Sequence, residues 1–264
     1  MPEHLAYVYA IVPRDRVPAD PPDGLDGSPV SVECEGDVCA LISRVPAGGY
    51  SPAVIETSSA SLDWMGPRAR AHDAVVTWAS DRGATVPLPM FSMFATTDAV
   101  HAMLRERGAE LVRTLAHVAR GREYTVRAFV LERELRTRVA DLSPALRTLE
   151  QEAEREPPGK QFLLRRKADA MRKAEAERVV GEVAAEVRDR LGEHALEMVE
   201  DPLPDRSTDE RGGAILNASF LVTDASLQEF RAALTHAAEQ HEKHGFRFEF
   251  TGPWPPYHFV RGGS

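Results

Sequence analysis

Apolar residues fall into short runs and helix-spaced stripes, which predict a chain of mixed strands and helices. The unbroken apolar run Leu5–Val12 predicts a central strand buried on both faces. Apolar positions at helical spacing predict two helices, the second bent or broken at Gly108. The elements expected in the first half are strands over Leu5–Val12, Val30–Glu35 and Val38–Ser43, a short edge strand within Ala84–Met90, a helix over Pro67–Asp81, and a helix from Thr97 as its cap to Gly121.

The second half combines one long helix with four strands. Apolar positions along Gln161–Leu191 predict a helix of about 45 Å with a solvated face of mixed charge. Ser226 and Glu229 match a capping box, which predicts the start of a helix that runs to Gly245. The stretch Arg136–Pro158 is polar, and its closely spaced glutamates, from Glu150 to Glu156, are interpreted as a solvated face. Strands are predicted over Tyr124–Leu131, Ala195–Glu200, Ile215–Thr223 and Phe246–Phe250, with a polar loop at Asp201–Gly213.

This order of elements predicts an α+β protein of two domains. The second half reads β-α-β-β-α-β, which is the ferredoxin-like plan of a four-stranded sheet with two helices on one face. The first half has enough strands and helices for a separate α+β domain. We therefore expect an N-terminal α+β domain over residues 1–122 and a modified ferredoxin-like domain with a long helix over residues 123–264.

The charge balance argues against two classes of partner. Lys plus Arg number 32 and Asp plus Glu number 41, so the net charge is −9. A nucleic-acid binder normally shows a basic excess, and an anionic membrane surface repels an acidic chain. No apolar run approaches the length of a membrane helix, and the first run lacks the basic flank of a signal peptide. The sequence thus predicts a cytoplasmic protein with no nucleic-acid or membrane partner.

Two cysteines, Cys34 and Cys39, face each other across the predicted hairpin over Gly36-Asp37, whose first glycine suits a type II′ turn. A disulfide is geometrically possible there, but a reducing cytoplasm favours two packed thiols. Two thiolates alone do not complete a zinc shell. Packed thiols are therefore the expectation, with the disulfide as the alternative.

Motifs for covalent chemistry are missing from the sequence. It contains no P-loop, no G-x-G-x-x-G after a strand and no G-x-S-x-G elbow. His241 and His244 are three residues apart, whereas zincins need a spacing of four, so a buried or surface pair is favoured over a ligand pair. His72 and Asp73 are adjacent on a helix and point in different directions. We predict no enzyme, with no catalytic, cofactor-binding or metal-binding residue.

Two proline-rich aromatic segments stand out, Val86–Phe94 and Thr251–Val260. One interpretation is that both are rigid connectors packed on their own domains. The other is an apolar contact surface, because stiff proline segments present aromatic side chains at little entropic cost. The residues predicted to bind a partner are Trp254, Tyr257, Phe259, Phe91 and Phe94.

The segment Thr251-Gly-Pro-Trp-Pro-Pro-Tyr-His-Phe-Val260 closely resembles the terminal motif of the gas vesicle protein F/L family (GvpF/GvpL). Met90 and Ser92 stand where that family has arginine and glycine, so a polar contact of the arginine is not expected here. Further motifs occur in the family's order and at its usual spacing, across roughly residues 5–260. They are Arg70–Val76, Pro87–Phe91, Gly121–Glu123, Gly159–Leu163 and Leu216–Val222.

The resemblance implies the same two-domain fold and a non-enzymatic role in gas vesicle formation, as an accessory assembly factor or a minor component. The implied partners are the small, hydrophobic major gas vesicle shell protein and other gas vesicle accessory proteins, with no cofactor. Such shell subunits are apolar and aggregate when free, and an acidic protein that covers them keeps them dispersed. The alternatives are a ligand-binding regulatory module and a small-molecule enzyme on a ferredoxin-like domain. The F and L subtypes both stay open.

Overall fold

The computed structural model describes residues 3–203 and 212–260, which form two compact units. The first unit comprises the residues up to Glu123 together with those from Pro253 onward, and the second comprises Tyr124–Gly252. The sequence analysis expected residues 123–264 to form one domain. In the structure, the residues from Pro253 onward belong to the first unit instead. The reason is packing, because Tyr257 and Val260 contact buried clusters of the first unit.

The first unit is built on an antiparallel sheet around the strand that the apolar run predicted. Strand β1 (His4–Pro13) is buried on both faces, as expected, and pairs with β3 (Val38–Pro46). It also pairs with the short strands β4 (Val86–Pro87) and β5 (Met93–Phe94). Strand β2 (Ser31–Glu35) pairs with β3, which gives the order β2-β3-β1-β4.

Three helices belong to this unit: α1 (Pro52–Ser58), α2 (Leu62–Ser80) and α3 (Thr97–Val118). The side chain of Tyr7 lies in a buried cluster with residues of α2, whereas its neighbour Val8 lies in a second cluster with residues of α3. Successive strand residues point to opposite faces, so β1 supplies both clusters. Single turns of 3-10 helix occur at Arg14–Arg16, Leu25–Gly27, Ala47–Gly49 and, in the second unit, Glu242–His244.

The boundaries of two helices differ from the sequence prediction. Helix α2 begins at Leu62, and Pro67 lies inside it rather than in its first turn, because the preceding turn is already helical. Helix α3 continues through Gly108, so the predicted break there is wrong. One glycine costs a helix only about 1 kcal/mol, which burial of the flanking apolar stripe offsets. The N-cap of α3 is Thr96 rather than the predicted Thr97, because the Thr96 side-chain oxygen accepts a hydrogen bond from the Ala99 amide at 3.2 Å.

The β2–β3 hairpin forms as predicted, and Cys34 lies directly opposite Cys39. Gly36 has a φ of 57°, as the first position of a type II′ turn requires. The two sulfurs are bonded in a disulfide, so the expectation of packed thiols is wrong. The Cα atoms are only 4.0 Å apart, and this close approach brings both sulfurs together.

The second unit carries a four-stranded sheet of order β7-β8-β6-β9. Strand β6 (Arg122–Val130) enters the unit and β9 (Phe246–Trp254) leaves it. Strands β7 (Glu197–Glu200) and β8 (Gly213–Val222) pair antiparallel. All four strands occur close to their predicted positions, while residues 204–211 of the predicted polar loop lie outside the described residues.

Four helices complete this unit: α4 (Glu132–Leu142), α5 (Pro144–Arg155), α6 (Pro158–Gly192) and α7 (Leu227–His241). The long helix α6 is confirmed. Glu152 and Glu154 are exposed, in agreement with the expected solvated face. The sequence analysis did not predict helices α4 and α5 themselves, although apolar residues recur there at helical spacing and are all buried: Leu135, Val139, Leu146, Leu149 and Ala153.

The sheet and helices of this unit share one apolar core. Phe220 and Phe230 meet edge to face at 5.1 Å within it. The predicted capping box of α7 is wrong, because the Ser226 side chain makes no cap bond. Instead the Thr223 hydroxyl accepts a hydrogen bond from the Ser226 amide at 3.0 Å.

Candidate functional site

A buried histidine joins distant parts of the first unit. The Tyr7 hydroxyl lies 2.7 Å from His72 Nδ1, and the Tyr257 hydroxyl lies 3.1 Å from His72 Nε2. The Phe91 amide donates a hydrogen bond to the Tyr7 oxygen at 3.2 Å, so the Tyr7 hydroxyl bridges that amide and the imidazole. Strand β1, helix α2 and the C-terminal segment are thereby tied through one ring.

The surroundings of this ring favour neutral groups. Burial lowers the pKa of His72 to about 4, so the imidazole is neutral at pH 7. Burial also raises the pKa of Tyr7 and brings that of Tyr257 to about 12. None of the three side chains is charged at neutral pH, and their hydrogen bonds position the C-terminal segment.

An arginine organises the aromatic side chains next to this site. The guanidinium of Arg68 pairs with Asp26 at 3.1 Å and lies 4.4 Å from the Trp64 ring centroid. The Trp64 ring stacks on Phe91 at 5.6 Å. The Tyr50 hydroxyl donates to Asp26 at 2.6 Å. Hydrogen bonds and stacking thus fix Trp64 and Phe91 in place.

A second polar contact fastens the C-terminal segment. Glu123 is only 2% exposed, and its carboxylate accepts a hydrogen bond from the His258 amide at 3.1 Å. The His258 ring nitrogen Nδ1 lies 2.6 Å from the other carboxylate oxygen. Adjacent residues 257 and 258 therefore each contact a different buried polar group of the first unit.

The five residues predicted to bind a partner are all placed in the first unit, and they differ in exposure. Trp254 is 47% exposed and Phe259 is 5% exposed. Tyr257, Phe91 and Phe94 are partly buried, and each packs against a buried cluster. Phe91 has a φ of 66°, an uncommon conformation for a bulky residue. Direct contact between a partner and any of these five residues stays a prediction. Trp254 is the most exposed of the five and is therefore the strongest candidate for such a contact.

The second unit carries an apolar groove between helices α4 and α6, which sequence reasoning did not find. Its volume is about 730 Å³. A mid-helix glycine, Gly181, faces it, and a Cβ built at that position would meet no atom within 4 Å. The apolar lining consists of Val130, Leu135, Ala176, Val180, Gly181, Ala184, Leu203, Ala214 and Ile215.

Charges on the rim of this groove neutralise one another. Arg136 pairs with Glu132 across one turn of α4 at 3.9 Å. Lys173 pairs with Glu177 across one turn of α6 at 4.0 Å. Such exposed pairs contribute little stability, but they leave each wall of the groove electrically balanced. The groove therefore suits an apolar segment better than a charged ligand.

A second cleft of about 630 Å³ in this unit holds the two histidines that the sequence analysis weighed as metal ligands. His241 and His244 are 7% and 6% exposed, and burial lowers the pKa of both. Carboxylates and cations, including Glu186 and Lys243, line the cleft together. Mixed charges of this kind select neither an anion nor a cation.

Two further features are absent from the described part of the chain. Within residues 3–203 and 212–260, no helix combines the length and apolar character needed to cross a bilayer. Over the same residues, no three His, Cys, Asp or Glu side chains gather at distances suited to a metal ion.

Comparison with known proteins identifies the family. The model of the family "Gas vesicle synthesis protein GvpL/GvpF" matches residues 5–261. Gas vesicle protein L of Streptomyces sp. (strain CB03234) is 30% identical over 98% of this chain and 93% of its own length. Gas vesicle protein F of the same strain is also 30% identical, over 96% of this chain and 98% of its own length.

Solved structures share the fold. The crystal structure of the gas vesicle protein GvpF from Anabaena sp. PCC7120 superposes with a TM-score of 0.71 at 18% identity, covering 99% of this chain and all of that one. GvpF from Microcystis aeruginosa gives a TM-score of 0.67 at 20% identity, covering 98% of this chain and 99% of that one. With the family match over nearly the whole sequence, these findings show that the chain belongs to the gas vesicle synthesis protein GvpL/GvpF family.

Proposed function

We propose that this chain is a cytoplasmic, non-enzymatic gas vesicle assembly protein that binds the major shell protein. Family membership supports a gas vesicle role. The observation that carries the finer proposal is the apolar groove between α4 and α6, whose rim charges are paired. An apolar shell segment loses contact with water there without leaving a charge unpaired.

The surrounding surface supports this role. A net charge of −9 keeps a complex with an apolar subunit dispersed, because like-charged complexes repel one another. An accessory protein of this kind holds subunits in a usable state until they join the growing wall, and other accessory proteins are further partners. The shell subunit bound in the groove is therefore protected from aggregation and is not chemically changed.

We also propose that the second unit is a modified ferredoxin-like domain and the first a separate α+β domain. The strand order β7-β8-β6-β9 and the succession of strands and helices support this assignment. Helices α4 and α5 are the modification, since both lie between the first strand and the long helix. Helix α4 supplies one wall of the groove.

The test is co-expression with the major shell protein, followed by measurement of its soluble fraction and by pull-down. The double variant Ala176→Asp/Ala184→Asp introduces two charges into the groove. The matched control Ala170→Asp/Ala174→Asp makes the same changes at exposed positions of the same helix. We expect the groove variant to lose most of the bound shell protein and the control to keep it. Equal binding by both, or none by the unaltered chain, contradicts the proposal.

The half-exposed Trp254 is tested in the same assay. Trp254→Ala is expected to weaken shell-protein binding while circular dichroism stays unchanged, because buried aromatic anchors dominate interfaces. Leu62→Ala is the matched control, since Leu62 is 86% exposed in the same unit. If Trp254→Ala only unfolds the protein, the connector interpretation of the C-terminal segment is correct.

A further inference from the structure

The start of helix α6 combines exposed apolar side chains with positive charge. Phe162 and Leu163 are adjacent and each 64% exposed, so together they form an apolar surface. The next turn carries three exposed cations, Arg165, Arg166 and Lys167. We call these five residues the cationic-apolar patch.

Helix geometry brings these side chains together. Residues three and four apart are neighbours on a helix surface, so Phe162 lies beside Arg165 and Arg166. By the same rule Leu163 lies beside Arg166 and Lys167. The two apolar side chains are therefore flanked by positive charge along one face.

Other cations of the same helix half have carboxylate partners. Lys160 pairs with Glu156 at 2.7 Å, and Arg172 pairs with Glu150. In contrast, Arg165, Arg166 and Lys167 form no ion pair with any carboxylate of residues 3–203 and 212–260. Three free cations are thus concentrated within one helical turn of a chain whose net charge is −9.

We propose that the cationic-apolar patch binds an acidic amphipathic helix of another gas vesicle protein. The proposal rests on the proposed function only for the source of that partner. Leucine-like side chains of the partner cover Phe162 and Leu163, and its carboxylates pair with the guanidinium groups, each of which can donate two parallel hydrogen bonds to a carboxylate. The patch attracts such a helix although the molecule as a whole repels acidic proteins.

Charge also favours an acidic helix over two other occupants, a second copy of this chain and an anionic membrane. A symmetric contact between two copies would place the three cations of one patch against those of the other, which is repulsive. An anionic membrane extends across the whole face of the molecule, so the net negative charge opposes its approach. A single helix contacts the patch alone and avoids that repulsion.

The experiment measures the binding of a synthetic probe to the full chain by fluorescence anisotropy. The probe is a labelled helix of about five turns with leucines on one face and glutamates on the other. A second probe has lysines in place of the glutamates. We expect the acidic probe to bind and the basic probe not to bind, with weaker binding as salt rises from about 0.1 M to about 0.5 M.

Two charge-reversed variants have the same net charge. Arg165→Glu/Arg166→Glu/Lys167→Glu alters the patch, and Arg44→Glu/Arg113→Glu/Arg120→Glu alters exposed positions of the first unit. We expect the patch variant to bind the acidic probe at least about tenfold more weakly than the control variant. Phe162→Ser/Leu163→Ser is expected to weaken binding without removing its salt dependence.

Several results would overturn the proposal. They are equal binding by the patch and control variants, equal binding of acidic and basic probes, and no binding of the acidic probe. Binding to phosphatidylserine vesicles in place of the probe would assign the patch to a membrane, and a patch-dependent dimer would assign it to a second copy. The salt dependence and probe selectivity of the unaltered chain test the idea even if a variant fails to fold. The shell-protein assay uses other positions of α6, so the two proposals can fail separately.

Discussion

Protonation of His72 provides the sharpest test of the buried network in the first unit. Its imidazole is 5% exposed and has a folded pKa of about 4, against about 6.5 in an unfolded chain. Between about pH 4 and about pH 6.5, His72 is protonated in the unfolded state and neutral in the folded state. The stabilising effect is therefore full above pH 6.5 and is lost progressively as the pH falls through about 4.

The linkage relation gives the magnitude. With these two pKa values, the free energy of unfolding falls by about 2 kcal/mol between pH 7 and pH 5, and by about 3 kcal/mol at pH 4. The range from pH 7 to pH 5 is the informative one, because ordinary carboxylates stay ionised there. For a unit of this size, 1 kcal/mol corresponds to a melting shift of about 2–8 °C.

The assay is urea unfolding followed by tryptophan fluorescence. Trp64 and Trp78 lie in helix α2 of the first unit, and Trp254 is grouped with that unit although it ends strand β9, so tryptophan emission reports mainly on the first unit. The variant His72→Gln keeps a polar side chain but cannot be protonated. Subtracting its pH profile from that of the unaltered chain isolates the histidine. Parallel profiles between pH 7 and pH 5 would refute the reasoning.

Two further substitutions test the packing around the same network, both measured by urea unfolding. Tyr257→Phe removes a hydroxyl that faces the buried imidazole and is expected to cost about 1–3 kcal/mol, while Tyr124→Phe changes little because its hydroxyl makes no hydrogen bond among the described residues. Gly24→Ala places a methyl group 2.1 Å from the Tyr9 oxygen and is expected to cost about 1–3 kcal/mol. Gly48→Ala meets no atom within 4 Å and serves as its control, so equal effects at the two glycines would contradict this account.

Local patterns explain which elements the sequence predicts well. The predicted strand at Leu5–Val12 and the predicted long helix at Gln161–Leu191 are confirmed. Both predictions succeed because the apolar residues that define each pattern pack in the core. Periodicity alone does not give the full extent of burial within α6, because Val179 is buried while its neighbour Val180 both packs against the core and lines the groove.

Tertiary contacts explain what the sequence does not show. His72 and Tyr257 are 185 residues apart, and no local pattern joins them. The apolar groove is lined by residues of α4, α6 and β8, which are far apart in the sequence. The sequence analysis identified the C-terminal aromatic segment as a candidate binding surface. It did not show that Trp254 is half-exposed whereas Phe259 is buried.

The division of the chain has a consequence for biosynthesis. The residues that complete the first unit, from Pro253 onward, are translated after the whole of the second unit. The second unit can fold as soon as Gly252 has left the ribosome, but the first unit, although its synthesis starts earlier, must wait for the later segment. A stop codon just before Pro253 would therefore damage the first unit more than the second.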